Sequence, residues 1–213
     1  NNMQSETEII LLTSNNMEGN GCKIFIELNK PGCKISLMLL SSDYDFDCFN
    51  FNGLSKNAIV IFDFDSFNAR KNFPFIQKLT QEGIRTIIYS QLSTPGLIFK
   101  AKQHLISGYV SKHSSPDCLL SCINVLELEG FYYDPIFSDL LKKISSFEEE
   151  LSLTQRNVVY EVLSSPNKSL KEIAAQLNLS KHTAEVHLSN IYHKTKFHQP
   201  ILQPQTTKLQ HFL

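Results

Sequence analysis

Residues 169–194 combine capping residues, cations and an apolar repeat at helical spacing. Ser169 and Glu172 form the Ser-x-x-Glu pattern of a capping box, which marks the start of a helix. Asn178 tolerates the left-handed backbone conformation of a tight turn, and Ser180 is a good N-cap for a second helix. The segment therefore predicts two short helices joined by a tight turn, an arrangement that places the second helix in the major groove of DNA.

The cations of this segment are positioned for phosphate binding. Lys171 lies at the start of the first helix and Lys181 at the start of the second, where backbone N–H groups also face outward. The whole chain has a net charge of −1, but from Leu151 onward seven Lys and Arg face three Glu, which leaves +4 there and −5 before it. A basic end on an acidic body favours a polyanion-binding module.

The first part of the chain alternates short apolar runs with helical patterns. Continuous apolar runs of this length are typical of buried parallel strands. Five strands are predicted, over residues 8–13, 34–40, 57–63, 85–90 and 107–111. Helices are predicted over residues 16–29, 73–82, 96–104 and 115–128. The alternation predicts an α/β fold with a five-stranded, doubly wound parallel sheet.

Polar side chains follow the predicted strands where their carboxyl ends meet. Asp63, Ser90 and Lys112 end or follow three of the strands, and such edges collect active groups in parallel sheets. The chain contains no Gly-rich phosphate loop, no nucleophile elbow and no carboxylate pair with a partner base. We therefore predict no catalytic residues and no enzyme.

The polar stretch 145–150 has little to bury and is predicted to be a linker. The first domain is then residues 1–144, ending in a short helix over 136–144. The second domain is residues 151–213 and is predicted to be all helical, with Thr154 as the N-cap of its first helix.

Residues 153–197 resemble the DNA-binding domain of the LuxR/NarL family of transcription regulators. The matching residues are Leu153, Thr154, Arg156, Lys171–Ala174, Leu177, Ser180, Thr183, His187, Asn190 and Ile191. The resemblance implies a helix-turn-helix regulator of transcription that binds DNA. It places these residues at the interface: Lys171, Ser180, Lys181, His182, Thr183, Glu185, Val186, Ser189, Asn190 and Lys194.

The first part resembles the receiver domain that usually precedes such modules. Asp63 matches the phosphoacceptor, Ser90 the hydroxyl residue and Lys112 the receiver lysine. The first strand, however, runs into Thr13-Ser14-Asn15-Asn16 instead of the acidic pair that holds Mg²⁺, an ion that prefers carboxylate ligands. The resemblance therefore implies a vestigial phosphorylation site in a degenerate receiver, and we expect no control by aspartyl phosphorylation.

No cofactor and no metal are predicted. Some degenerate receivers of this family bind cyclic di-GMP through a Trp- and Arg-containing box, but here residues 131–134 read Phe-Tyr-Tyr-Asp and the chain has no Trp. Asp134 would repel phosphates, so packing of the aromatic residues against the sheet is the favoured interpretation. The five cysteines form no Cys-x-x-Cys pair, and His187 has no second ligand nearby in the sequence.

The expected partner is double-stranded promoter DNA, bound by a homodimer. Two prolines in residues 198–204 disfavour the helix that pairs subunits in the family, so surface phenylalanines of the first part are the alternative contact. Glu185 stands where the family mostly has lysine. It either reads cytosine or merely pairs with His182 or Lys181.

A second hypothesis follows from Glu185 and the altered tail: an interaction protein that binds a partner regulator and binds DNA weakly itself. No apolar run approaches the ~20 residues of a membrane span, so a location in the bacterial cytoplasm, at the nucleoid, is expected.

Overall fold

The computed structural model describes residues 7–91, 97–98, 101, 104–164 and 168–195. The chain divides into two compact units, the first reaching to Phe137 and the second beginning at Ser138. No helix of the described residues is long and apolar enough to cross a membrane.

The first unit is built on one parallel sheet, as the sequence predicts. Its strands are β1 (Glu8–Thr13), β2 (Lys34–Leu39), β3 (Ile59–Asp63), β4 (Arg85–Ser90), β5 (Gly108–Ser111) and β6 (Tyr132–Tyr133). Their spatial order is β2-β1-β3-β4-β5-β6. The predicted count of five strands is wrong by one, because β6 has only two residues and such a strand leaves no periodic signal in the sequence.

The described residues before the helix-turn-helix unit include the helices α1 (Asn16–Asn29), α2 (Ala69–Gln81), α3 (Asp117–Glu127) and α4 (Pro135–Glu149). Helix α4 begins in the first unit and continues from Ser138 in the second. One face of the sheet packs aliphatic side chains, such as Leu11 and Ile61, against Ile26 of α1 and Ile123 of α3. Because β1 and β3 are buried along nearly their whole length, apolar side chains are needed on both faces of the sheet.

The other face of the sheet carries an aromatic cluster. It consists of seven buried phenylalanines: Phe46, Phe49, Phe62, Phe64, Phe67, Phe73 and Phe75. The rings of Phe46 and Phe75 stack with centroids 4.1 Å apart. The hypothesis that phenylalanines of this part supply a dimer contact is therefore wrong for these seven, since their side chains fill the core.

Two predicted helix boundaries of the first part differ from the structure. The helix predicted from Phe73 begins at Ala69 and contains Pro74, which removes only one helical hydrogen bond there. The helix predicted to end at residue 144 continues to Glu149, so most of the predicted linker at 145–150 is helical. Polar composition alone does not stop a helix when neither Gly nor Pro interrupts it. The helix predicted over 96–104 lies largely outside the described residues.

The described part of the second unit is helical, as predicted, with α5 (Leu153–Ser164), α6 (Leu170–Gln176) and α7 (Lys181–Thr195). Thr154 is not the N-cap of α5: the Ser152 hydroxyl accepts the backbone N–H of Gln155 instead. The helices enclose a small core of Val158, Val159, Leu170, Ile173, Ala184, Leu188 and Ile191. The proline-containing tail after residue 195 lies outside the described residues.

Candidate nucleic-acid interface and the polar cluster of the first unit

Helix α6 is fixed at its start by the predicted capping box. The Ser169 hydroxyl accepts the backbone N–H of Glu172, whose carboxylate accepts the Ser169 N–H at 2.7 Å. The Ser169 hydrogen bonds lower the pKa of Glu172 below its usual value. The cap leaves Lys171 exposed on the first turn of the helix.

The turn between α6 and α7 depends on Asn178. This residue has a φ of 55°, in the left-handed region, as its residue type predicts. The N–H of Leu179 then donates to the Ala174 carbonyl at 2.8 Å, which closes the end of α6. Ser180 caps α7 by accepting the Thr183 N–H at 3.0 Å, in agreement with the sequence.

Helix α7 buries one face and exposes the other. Ala184, Leu188 and Ile191 are in the core, which holds the helix in place. Of the predicted interface residues, Lys171, Ser180, Lys181, His182, Val186 and Asn190 are exposed, while Thr183, Glu185 and Ser189 are half-buried. Lys194 lies in α7, but its side chain lies outside the described part. His187 is half-buried, which fits the predicted packing role.

Glu185 contacts Lys181 and His182 at the start of α7. Its carboxylate lies 3.2 Å from the Lys181 ammonium and 4.0 Å from Nδ1 of His182. The pairing that the sequence left open is therefore present in the structure. Because Lys181 is 62% exposed and Glu185 is 37% exposed, water screens this pair and its contribution to stability is small.

In the first unit, Asp63, Ser90 and Lys112 meet at the carboxyl edge of the sheet, as predicted from the strand ends. Asp63 is 2% exposed, and its Oδ1 accepts a hydrogen bond from the Lys112 ammonium at 2.7 Å. Its Oδ2 accepts hydrogen bonds from the hydroxyls of Thr13 at 2.6 Å and Ser66 at 2.5 Å. Both oxygens of this buried carboxylate are thus satisfied within the chain.

Ser90 binds a neighbouring carboxylate, that of Asp65, and not the carboxylate of Asp63. Its hydroxyl donates to Asp65 Oδ1 at 2.6 Å, and the Gln91 N–H donates to Asp65 Oδ2 at 2.7 Å. The Asp65 carboxylate also lies 3.6 Å from the Lys112 ammonium. The sequence identified Ser90 correctly as part of the cluster but not its partner.

Glu18, from the first turn of α1, completes the surroundings of Lys112. Its Oε1 lies 2.7 Å from the ammonium. Burial disfavours the charged lysine, but hydrogen bonds to Asp63 and Glu18 outweigh it, so the pKa of Lys112 is raised. The ammonium therefore occupies the position between three carboxylates, those of Glu18, Asp63 and Asp65.

The residues present do not fit a receiver-type Mg²⁺ site. In the stretch Thr13–Asn16, where the resemblance leads one to expect an acidic pair, the Asn15 side chain accepts the Glu18 N–H at 3.2 Å and caps α1. The carboxylates nearby are already bound to Lys112. Across the described residues, no group of three His, Cys, Asp or Glu side chains is arranged to hold a metal ion.

A half-open groove of about 320 Å³ adjoins this cluster. It runs between α1 and the start of α3, and its lining includes Cys22, Phe25, Tyr89, Lys112 and Leu119. Burial raises the pKa of the Cys22 thiol to about 12 and that of the Tyr89 hydroxyl to about 12, so both are neutral at physiological pH.

Asp134 has a structural role that the sequence did not reveal. It is fully buried and accepts hydrogen bonds from the Ser111 N–H at 2.5 Å, the Ser114 hydroxyl at 2.6 Å and the Phe137 N–H at 2.7 Å. The ring of Phe137 packs on Tyr109, with centroids 4.2 Å apart. Tyr133 also stacks on Phe137, with ring centroids 5.1 Å apart, so this aromatic residue packs as expected. Phe131 is 61% exposed, and the packing interpretation is wrong for it.

A parallel sheet with a buried carboxylate–lysine pair at its edge, followed by a helix-turn-helix unit, defines the class of two-domain response regulators. The family described as bacterial regulatory proteins, luxR family, matches residues 150–200. The transcriptional regulatory protein UhpA of Escherichia coli (strain K12) is 32% identical over 113 residues, which is 53% of this chain and 56% of UhpA. UhpA of Salmonella typhimurium is 31% identical over the same share of each chain. The chain thus matches little more than half the length of these relatives.

Solved structures share the fold over most of the chain. RcsB from Salmonella enterica serovar Typhimurium, bound to a promoter in the presence of the phosphomimetic BeF3-, has a TM-score of 0.62. It is 18% identical, and the likeness covers 88% of this chain and 90% of that one. The response regulator ChrA of a heme-sensing two-component system has a TM-score of 0.51 and 17% identity, over 90% of both chains. Residues 150–200 thus match the luxR family, and the chain shares with RcsB and ChrA the fold of a parallel sheet followed by a helix-turn-helix unit.

Proposed function

We propose that this protein binds double-stranded promoter DNA as a homodimer, through α6 and α7, and regulates transcription in the bacterial cytoplasm. The observation that carries the proposal is the exposure of Lys171 and Lys181 at the starts of these two helices, within the LuxR-family segment. Helix starts combine outward N–H groups with a positive dipole end, which suits phosphate contacts. Solved complexes of RcsB with DNA support the same use of the fold.

The test is a salt titration of binding to the DNA upstream of the gene. The logarithm of the affinity falls linearly with the logarithm of the salt concentration, and each lysine that neutralises a phosphate contributes about 0.9 to the steepness of this slope. The double variant Lys171→Ala, Lys181→Ala should therefore show a slope that is shallower by about 2. Lys56→Ala with Lys142→Ala is the charge-matched control, since both lysines are exposed and lie outside α6 and α7. An unchanged slope in the double variant would contradict the proposal.

We also propose that the first domain is not switched by phosphorylation of Asp63. Phosphoryl transfer depends on the positioning of the attacking oxygen and on metal ions that neutralise the charge of the transferring group. Here one oxygen binds Lys112, the other binds two hydroxyls, and the carboxylate is 2% exposed. Incubation with acetyl phosphate and Mg²⁺, followed by intact-mass measurement, should leave the protein unmodified. Stoichiometric phosphorylation of Asp63 would overturn this proposal.

The second candidate function is an interaction protein that binds a partner regulator and has little DNA affinity of its own. The observation that favours it is the contact of Glu185 with Lys181, which neutralises a cation on the recognition helix. The Glu185→Gln variant separates the two functions, because it removes one negative charge and keeps the shape of the side chain. Absence of a DNA shift at low salt in both the parent and this variant supports the interaction protein.

A further inference from the structure

Helix α1 is apolar on its outward face as well as on its inward face. Inward, Gly19 and Ile26 are buried, and a Cβ at Gly19 would lie 2.8 Å from side-chain atoms of Leu37 and Thr13. Outward, Met17 is 87% exposed, Ile24 54% and Leu28 77%. Residues spaced by seven and four positions lie along one line of a helix, so the three side chains form a continuous stripe.

The stripe has a gap at its centre. Gly21 lies on the same outward face, and a Cβ placed there would meet nothing within 4 Å. The midpoint between positions 17 and 28 of the helix coincides with the midpoint between positions 21 and 24. If two copies of α1 pack antiparallel about that point, Met17 meets Leu28 of the partner subunit. Ile24 then enters the gap at Gly21 of the partner subunit.

The polar residues beside the stripe are compatible with this pairing. Glu27 is paired with Lys23 of its own helix at 3.7 Å. In the antiparallel register, Glu27 lies near Asn20 of the partner subunit, so a carboxylate faces an amide and no like charges meet. A two-fold interface must be self-complementary in this way, since the same patch serves both subunits.

We propose that the α1 stripe, defined as Met17, Gly21, Ile24 and Leu28, is the surface through which two copies of this chain pair, antiparallel, on DNA. The inference rests on the proposed function, since two-fold related half-sites need a dimer. A helix of 14 residues is only about 21 Å long, so the contact falls short of the ~800 Å² per partner of a stable interface. The pairing is therefore weak in solution and is strengthened when adjacent half-sites bring two copies together.

Disulfide trapping tests the register directly. In a Cys48→Ser background, which removes an exposed native thiol, Met17→Cys with Leu28→Cys places two thiols opposite two thiols of the partner. Either cysteine alone would lie roughly 16 Å along the helix axis from its own copy, beyond disulfide reach. After mild oxidation with copper phenanthroline, the double variant should form a covalent dimer and each single variant should not. A duplex with two half-sites should accelerate the reaction.

Two further variants keep the result interpretable. Leu39→Cys with Leu128→Cys introduces two exposed thiols away from the stripe, and it should remain monomeric. Gly21→Lys, added to the double-cysteine variant, fills the gap and should slow trapping at least about tenfold through overpacking, although it favours the helix intrinsically. Because lysine at an exposed helical position stabilises the helix relative to glycine, a loss of trapping in this variant is not expected to come from misfolding.

Trapping of the double variant no faster than of the single or control variants, with or without DNA, would overturn the α1 pairing. The DNA shift of the parent protein is measured in parallel. A DNA shift without disulfide trapping would contradict the α1 pairing but not the proposed DNA binding. Disulfide trapping without a DNA shift would contradict DNA binding but not the α1 pairing.

Discussion

Lys112 is the residue on which the polar cluster of the first unit depends. Its ammonium is the cation shared by Glu18, Asp63 and Asp65, and its side chain is only 14% exposed. Removing it leaves Asp63 as a buried carboxylate without a countercharge. Such a loss is more costly than the loss of an exposed ion pair, because the remaining charge is poorly solvated.

Lys112→Met is therefore expected to lower the free energy of unfolding by about 3–5 kcal/mol, measured by urea denaturation. Adding Asp63→Asn should restore part of this loss, since the orphaned charge is then absent. Lys23→Met is the control: it breaks the partly exposed Lys23–Glu27 pair and should cost less than about 0.5 kcal/mol. Equal losses for Lys112→Met and Lys23→Met would show that the cluster contributes no buried countercharge.

Alkaline pH should destabilise the first unit through Cys22 and Tyr89. Burial raises both pKa values to about 12, from ordinary values of 9.0 and 10.0. The unfolded chain releases these protons first, so the stability that they contribute is complete below pH 9 and is lost as the pH rises toward 12. Unfolding free energies measured at pH 8 and pH 11 should differ less in a Cys22→Ser, Tyr89→Phe variant. A pH dependence that is unchanged in this variant would rule out both groups as its source.

At the scale of elements, local signals and the common edge of the parallel strands can be predicted from the sequence, but the reach of a side chain from one element to another cannot. The capping box at Ser169 and the turn at Asn178 were predicted because both depend on residues within a few positions. The meeting of Asp63 with Lys112 was predicted because parallel strands end at one edge. The reach of Glu18 from a helix to that edge was not, since it depends on side-chain geometry that no spacing rule encodes.

The sequence-based predictions for two segments differ from the structure, each for a physical reason. The strand β6 is held by pairing with β5 and has no pattern of its own. The predicted linker at 145–150 was inferred from polarity, whereas its Ser and Glu residues are compatible with the end of α4. The secondary structure of both segments depends on the neighbouring elements and not on the composition of the segment.

Asn178 offers a test of the helix-turn-helix geometry. Its φ of 55° suits Asn and Gly but disfavours a β-branched residue. Asn178→Val should lower the free energy of unfolding of the second unit by about 1–2 kcal/mol, while Asn178→Gly should stay within about 0.5 kcal/mol of the parent. Thermal unfolding followed by circular dichroism provides the measurement. If valine is tolerated as well as glycine, the left-handed turn is absent in solution.

At the scale of the whole molecule, two separate cores imply two separable unfolding events. The sheet core of the first unit and the helical core around Ile173 and Leu188 share no residues. Ile173→Ala removes a side chain that is 1% exposed and should cost the second unit about 2–5 kcal/mol. Hydrogen exchange measured by mass spectrometry should show faster exchange in α5–α7 and unchanged protection in β1–β5. Loss of protection in the sheet as well would show that the two units unfold as one.

Asp134 joins parts of the molecule that are otherwise far apart along the chain. One fully buried carboxylate holds the end of β5, the loop before α3 and the first turn of α4. Ser111, which it binds, immediately precedes Lys112. A displacement of that loop must therefore either break a hydrogen bond of a carboxylate that water does not reach, or move the first turn of α4 with it.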